Sequence, residues 1–219
     1  MATVASVNLA RPHTNPAAPS RPTGIDKVPT PEPVAVRDPG PRRGGAGSGL
    51  VGDSIGDRKH HGGDHQAVYA YAREDLDAWA QRLGRDLRDG MFGENLTTVG
   101  AAVTDARIGE RWQVGDDGLV LEVSSPRTPC RTFVSWLEIP GWIKTFTAAA
   151  VPGAYLRVIT PGTVRAGDDI VVLDRPDHEV TIGVVFRAMT LEPELLPLLA
   201  DIEALPDAIR ALAHRRVSS

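Results

Sequence analysis

Along much of this chain apolar and polar positions alternate in short runs, and the runs are separated by glycine, proline and aspartate. Ala2–Leu9 is rich in β-branched residues and predicts a first strand. Leu50–Asp57 and Ala67–Tyr71 predict two further short strands, flanking the turn R-K-H-H-G-G-D-H at Arg58–His65. From Ile108 onward brief strands at Arg111–Asp117, Leu119–Val123, Ala154–Ile159 and Ile170–Leu173 are punctuated by G-D or G-D-D turns. Regular short strands of this kind predict a β-barrel or a strongly curved sheet.

Helical periodicity is confined to fewer places. Arg73–Leu87 carries Leu76, Trp79, Ala80, Leu83 and Leu87 at helical spacing, with Glu74 and Asp75 in the first turn, where acids suit the helix dipole. Gly90–Thr98 reads as a glycine-punctuated loop leading into a strand, and Thr132–Leu137 and Trp142–Ala150 read as amphipathic pieces. Val180–Phe186 reads as a last strand or an extended linker. Glu192–Leu205 and Pro206–His214 are leucine- and alanine-rich, with Pro193 and Pro206 near helix starts. The division is therefore a β-rich domain over residues 1–178 and a helical segment over residues 179–219. That segment is too small to fold alone and must dock on the barrel or on a second chain. Between residues 11 and 49 prolines and then glycines crowd the sequence. Apart from Glu32–Arg37, which suits a sheet edge, this stretch reads as an extended, partly mobile loop.

With 219 residues, 42% hydrophobic and 24% charged, the chain is long enough for one sizeable core. A formal net charge of -4 argues against a nucleic-acid partner recognised through a globally basic surface. A single cysteine excludes an internal disulfide framework and any multi-cysteine metal cluster, and fits a reducing compartment. The first residues lack the basic and apolar regions of a signal peptide, and no window approaches the roughly 20 apolar residues of a membrane span. The expectation is a cytoplasmic protein with neither a membrane nor a nucleic-acid partner.

That one cysteine, Cys130, stands in V-S-S-P-R-T-P-C-R between Arg127 and Arg131, at a corner where Pro126 and Pro129 end a strand. Nearby guanidinium groups favour thiolate, the form that attacks electrophiles or binds soft metals, whereas most lone cysteines are small buried hydrophobes. His61 and His65 have the i, i+4 spacing of a helical metal pair, but Gly62 and Gly63 oppose a helix there and no third ligand follows. Beside Arg58 and Lys59 the glycine pair suits either an anion-binding turn or an ordinary hairpin. The Arg42–Gly45 tip leaves the same choice between an anion contact and a solvated loop. Glu94 offers a proton carrier, and Asn95, Thr97 and Thr98 offer neutral donors and acceptors, residues that also cap turns. A Cys-His hydrolase built on Cys130 and a turn histidine stays open, although the spacing specifies no third member.

Taken together and in order, H-H-G-G-D-H-Q-A-V-Y-A-Y, G-M-F-G-E-N-L-T-T, I-G-E-R-W-Q-V-G and V-S-S-P-R-T-P-C closely resemble the MOSC domain, named for the C-terminal domain of molybdenum-cofactor sulfurases. The likeness runs from Val7-Asn8 to about Arg175, and the trailing helices resemble the three-helix tail of the YiiM-like bacterial subgroup. The resemblance implies an α+β fold, mainly β with helices, built on a barrel-like domain that holds a molybdopterin-type molybdenum cofactor. Cys130 is then the protein ligand of molybdenum, and Lys59, His61, Gly62, Gly63, Asn95, Thr97 and Arg127 match motif positions as cofactor contacts. Tyr69, Tyr71 and Phe92 are candidates for the pocket lining, with core duty expected for at least two. Trp136–Ala150 would cover the site as a variable wall. By the same analogy the reaction is reduction of N-hydroxylated small molecules, such as hydroxylaminopurines or amidoximes, with Glu94 as proton donor. Electrons would come from an external flavoprotein or iron–sulfur protein, since one cysteine cannot house a cluster. The other reading is a carrier of molybdenum cofactor or sulfur without turnover, or a structural domain with Cys130 buried. Pairing of two chains through the tail is left open. His65-Gln66 and Ser125 depart from the commonest family pattern, which bears on substrate choice.

Overall fold

The computed structural model describes residues 1–11 and 13–217. Seven strands close into a barrel: β1 (Ala2–Ala10), β6 (Val68–Ala72), β7 (Leu96–Val99), β8 (Arg111–Val114), β9 (Leu119–Pro126), β10 (Ala154–Thr160) and β12 (Asp169–Asp174). Around the barrel the order is β12-β8-β9-β10-β6-β7-β1, and β1 returns to β12 through Ala2↔Ile170 and Thr3↔Asp169. Every neighbouring pair is antiparallel except β6–β7, which the helix α1 (Arg73–Leu83) connects as a crossover.

The proline-rich stretch is more ordered than its composition suggests. It forms the hairpin β2 (His13–Asn15) with β3 (Ala18–Thr23), the strand β4 (Lys27–Pro29), which extends the barrel sheet beside β1, and β5 (Val34–Val36), which pairs with β11 (Gly162–Val164). Each of these strands lies at a sheet edge, where a missing proline N–H breaks no ladder bond. Two further expectations change. Of Leu50–Asp57 only Leu50 makes a bridge, to Val36. Gly52 at φ 87° then turns the chain so that Asp53 points inward. Val180–Phe186 is not a strand: the Thr181 hydroxyl accepts from the Val184 N–H at 3.2 Å and starts helix α4 (Ile182–Thr190).

Two apolar clusters stabilise the chain. One fills the barrel, from Val4, Val7, Leu96, Leu119, Leu121 and Leu156, and extends to Ile182, Val185, Leu199 and Ala213 of the C-terminal segment. The tail, α4 with a 3₁₀ stretch at Pro193–Leu199 and α5 (Asp207–Val217), therefore docks on its own barrel. The other cluster is aromatic. It gathers Tyr71 from β6, Phe92 from the turn before β7, and Trp79, Phe133, Trp142, Phe146 and Phe186 from α1, α2 (Arg131–Leu137), α3 (Trp142–Ala149) and α4. Its rings meet edge-on, Trp79–Trp142 at 4.8 Å and Phe92–Phe133 at 5.1 Å, the arrangement the ring quadrupoles favour.

Candidate functional site

Between the barrel rim, the β2–β3 hairpin and the start of α2 lies an open-mouthed cavity, lined among others by Lys27, Asp53, His61, Arg127 and Cys130. Cys130 lies on its wall because β9 ends at Pro126 and α2 begins at Arg131, which leaves the thiol at the junction, half-buried. Burial raises its pKa. A hydrogen bond from His61, the Arg127 charge and the Phe133 N–H outweigh that effect and bring the thiol down to about 6. At neutral pH the group is predominantly thiolate.

Arg127 stands beside it, 7% exposed, with its guanidinium 4.1 Å from the Phe133 ring centroid and 5.1 Å from that of Tyr69. It donates to the Phe92 carbonyl. Burial disfavours its charge, but the tyrosines and Cys130 around it hold it protonated. Arg131, the other arginine beside Cys130 in sequence, is exposed and does not line the cavity. The electropositive neighbours of the thiolate are therefore Arg127 and His61.

Another part of the lining is a buried polar network. Asn95 donates from Nδ2 to Asp53 Oδ2 at 2.9 Å and accepts at Oδ1 from the Tyr69 N–H at 3.1 Å. Asp53 also accepts from Lys27 Nζ at 2.5 Å, from Ser48 at 2.7 Å and from the Ala10 N–H at 2.9 Å. Burial pushes the Asp53 carboxyl up, and the Lys27 ammonium with the Ser48 and Asn95 donors overrides it, so the group lies below the usual carboxylate range.

Of the residues proposed from sequence, Cys130, Arg127, His61, Gly62 and Asn95 meet at this cavity, and Tyr69 lines it. Tyr71 and Phe92 belong to the aromatic core. The others stand elsewhere. Lys59 is exposed on its turn and Gly63 packs against Arg42. Thr97 is fully buried between the Asn8 amide, at 3.0 Å, and Glu94, at 3.0 Å. Glu94, expected to carry protons, lies outside the cavity and 0% exposed. Its oxygens accept from the Gly90 and Phe92 N–H groups at 2.6 and 3.0 Å and from Thr97. Burial pushes its carboxyl up to about 7 against those donors. Its place is that of a brace for the 90–94 turn. Nor does Trp136–Ala150 wall the cavity: Trp142 and Phe146 turn into the aromatic core, and only Thr132 of the α2 segment reaches the lining, apart from Cys130 itself.

Sequence reasoning missed Lys27, Asp53, Asn15 and Tyr155, all of which line the cavity. A signal existed for Lys27, one of only three lysines in the chain. His65 takes a structural place, its Nδ1 2.9 Å from the Ser124 hydroxyl, and burial lowers its pKa. Among the described residues no group of three His, Cys, Asp or Glu side chains is arranged to hold a metal ion. No helix of the described residues is long and apolar enough to cross a membrane.

Fold and site define a closed barrel, capped by its own helices, that presents a thiolate and buried cations to the contents of a polar cavity. The chain belongs to the MOSC domain family, whose model matches residues 57–171, more than half of the sequence. It is 32% identical over 177 residues to a protein of Gibberella moniliformis named "Reductase", covering 78% of this chain and 31% of that protein. It is 30% identical over 136 residues to YflK of Bacillus subtilis, covering 62% of this chain and 61% of YflK. The crystal structure of YiiM from Geobacillus stearothermophilus superposes with a TM-score of 0.78 at 26% identity, over 99% of this chain and 100% of that one. The chain thus spans about a third of the fungal reductase and about three fifths of YflK.

Proposed function

We propose that the cavity binds a molybdopterin-type molybdenum cofactor through Cys130, and that the chain is an oxidoreductase acting on N-hydroxylated small molecules. The observation that carries this reading is the Cys130 thiolate facing an open polar cavity between His61 and the buried Arg127. The donor set fits the group: a soft thiolate suits a metal already held by sulfur, and a buried guanidinium suits a phosphorylated pterin. Cys130 would bind the metal, Arg127 would supply positive charge, and Asn95, held by Asp53 and the Asn8 carbonyl, would keep the wall beside them rigid. When bound, the cofactor supplies two-electron redox chemistry.

The chain's own residues do the rest. The His61 side chain hydrogen-bonds Cys130 and favours the ionised sulfur. Arg127, clamped by Tyr69, Phe133 and the Phe92 carbonyl, fixes a positive charge beside it. Family membership and the name of the fungal relative support the reductase assignment.

Metal analysis of protein made in a host that produces the cofactor tests the reading. Molybdenum is expected in the wild-type chain and is expected to be lost in Cys130→Ser, whereas undiminished loading of that variant removes Cys130 as the ligand. Reduction of a hydroxylaminopurine by an artificial electron donor then separates an enzyme from a carrier of the cofactor or of sulfur.

A further inference from the structure

Two turns distant in sequence are stitched into one surface at the cavity mouth. The Gly63 N–H donates to the Gly47 carbonyl at 2.9 Å and Arg42 Nε to the Gly62 carbonyl at 3.4 Å. The Arg58 guanidinium donates to the Gly45 and Ala46 carbonyls at 3.3 and 2.9 Å. Glycine is required where they meet: Gly62 has φ 83°, and a Cβ there would stand 2.7 Å from the Gly47 oxygen.

The platform carries four exposed cations, Arg42, Arg43, Arg58 and Lys59. Among the described residues none of the four is in an ion pair, whereas Arg73, Arg88 and Arg157 elsewhere are matched with carboxylates. The nearby acids Asp38, Asp57 and Asp64 accept local hydrogen bonds, from the Gly40 N–H at 2.8 Å, the His60 ring at 2.9 Å and the His65 N–H at 2.8 Å, and among the described residues none of them pairs with the four cations. So concentrated a basic patch is notable on a chain of net charge -4. It borders the cavity, because the same turn continues into His61 and Gly62 on the cavity wall.

Turnover of an N-hydroxylated substrate needs electrons. Converting N–OH to N–H and water breaks the N–O bond and takes up two electrons and two protons, while the donor is oxidised by two electrons. The one cysteine is at the cavity, which leaves no thiolates in the given sequence for an iron–sulfur cluster, and the reductase reading therefore takes a separate carrier as the electron donor. We infer that the Arg42–Arg43–Arg58–Lys59 platform is the docking face for an acidic electron-carrier protein. This rests on the reductase reading above. An unpaired cation cluster steers an oppositely charged protein and speeds its association. At the mouth it brings the carrier beside the site it must reduce. The negative charge of the rest of the chain opposes a long polyanion such as nucleic acid.

The test uses the whole chain and the variant R43E/K59E. Neither side chain makes a hydrogen bond or an ion pair among the described residues, so the platform keeps its stitches, to be verified by circular dichroism and Tm. Binding of two acidic carriers, a flavodoxin and a plant-type ferredoxin, is measured by titration calorimetry at low and at physiological salt. At least one carrier should bind, weaken with salt, and weaken ~tenfold or more in the variant. Binding of neither carrier overturns the inference, as does equal binding by R43E/K59E or tighter binding of an oligonucleotide of matched charge. Loss of molybdenum loading in the variant with carrier binding intact also overturns it, because the platform would then serve cofactor capture. Molybdenum content of the wild-type chain is read separately: its absence sinks the reductase reading, and unchanged carrier binding in the variant sinks the docking face.

Discussion

Replacing Lys27 by methionine should be among the most damaging single changes near the cavity. Lys27 Nζ and Asp53 Oδ1 lie 2.5 Å apart with side chains only 7% and 1% exposed. At an effective dielectric of about 20 their gross attraction is on the order of 6 kcal/mol, most of which offsets the desolvation of two ions. Removing one partner leaves the desolvation of the other uncompensated, at about 3–5 kcal/mol. Ser48, Asn95 and the Ala10 N–H remain as donors to Asp53, which places Lys27→Met near the lower end, about 3 kcal/mol. The pH dependence identifies the cause. In the wild type the Asp53 pKa is below its unfolded value, so its stabilisation is complete above about pH 4 and flat to neutrality. In the variant, burial without Lys27 raises the carboxyl above its unfolded value, so stability falls as pH rises through that raised pKa. The deficit should therefore be largest at pH 7 and shrink toward pH 4. Urea unfolding followed by tryptophan fluorescence measures both, and Lys27→Met/Asp53→Asn should recover most of the loss. A deficit under about 1 kcal/mol, a deficit independent of pH, or a double variant no better than the single one would refute the reasoning.

Three further outcomes are expected. In cofactor-free protein, alkylation of Cys130 by iodoacetamide should follow a titration near pH 6 that moves upward in His61→Ala; a wild-type midpoint near that of free cysteine, about 8.5, would contradict the site's electrostatics. Glu94 is raised to about 7, so its contribution to stability is complete below its unfolded pKa and is lost as pH rises toward 7. Glu94→Gln should remove that slope from the urea-derived stability profile and cost about 1–3 kcal/mol at pH 5 by setting an amide NH₂ against a turn N–H. Phe92→Ala should cost about 3–5 kcal/mol and loosen the turn whose carbonyl holds Arg127, visible as a lower Tm and faster Cys130 alkylation above pH 7.

Much of the barrel was legible because its strands are short apolar runs set off by glycine, proline and aspartate, so the predicted strands at Ala2–Leu9, Leu119–Val123 and Ala154–Ile159 have counterparts in β1, β9 and β10. Residues 11–49 misled because proline and glycine forbid central strands but not edge strands, and composition alone does not say which is present. The site was legible as motifs and not as contacts. Cys130, Arg127, His61 and Asn95 come from three separate stretches that meet at one cavity. Asp53 escaped as one acid among many, and Lys27, although lysine is scarce in the chain, escaped because only the fold buries the two against each other. Glu94 was misplaced for the converse reason: a carboxylate in a motif suggests chemistry, while its geometry shows it satisfying the N–H groups of its own turn.

The barrel's last seam joins Ala2 and Thr3 to Ile170 and Asp169. During synthesis the first strand emerges long before the strand that completes its ring, and until then its edge is open to any other extended segment. So distant a pairing carries a large loop-closure cost and belongs late in folding. A nascent chain halted before residue 169 should therefore stay protease-sensitive and chaperone-dependent however complete its cavity residues are, since all of them, from Asn15 to Tyr155, are made before the ring is shut.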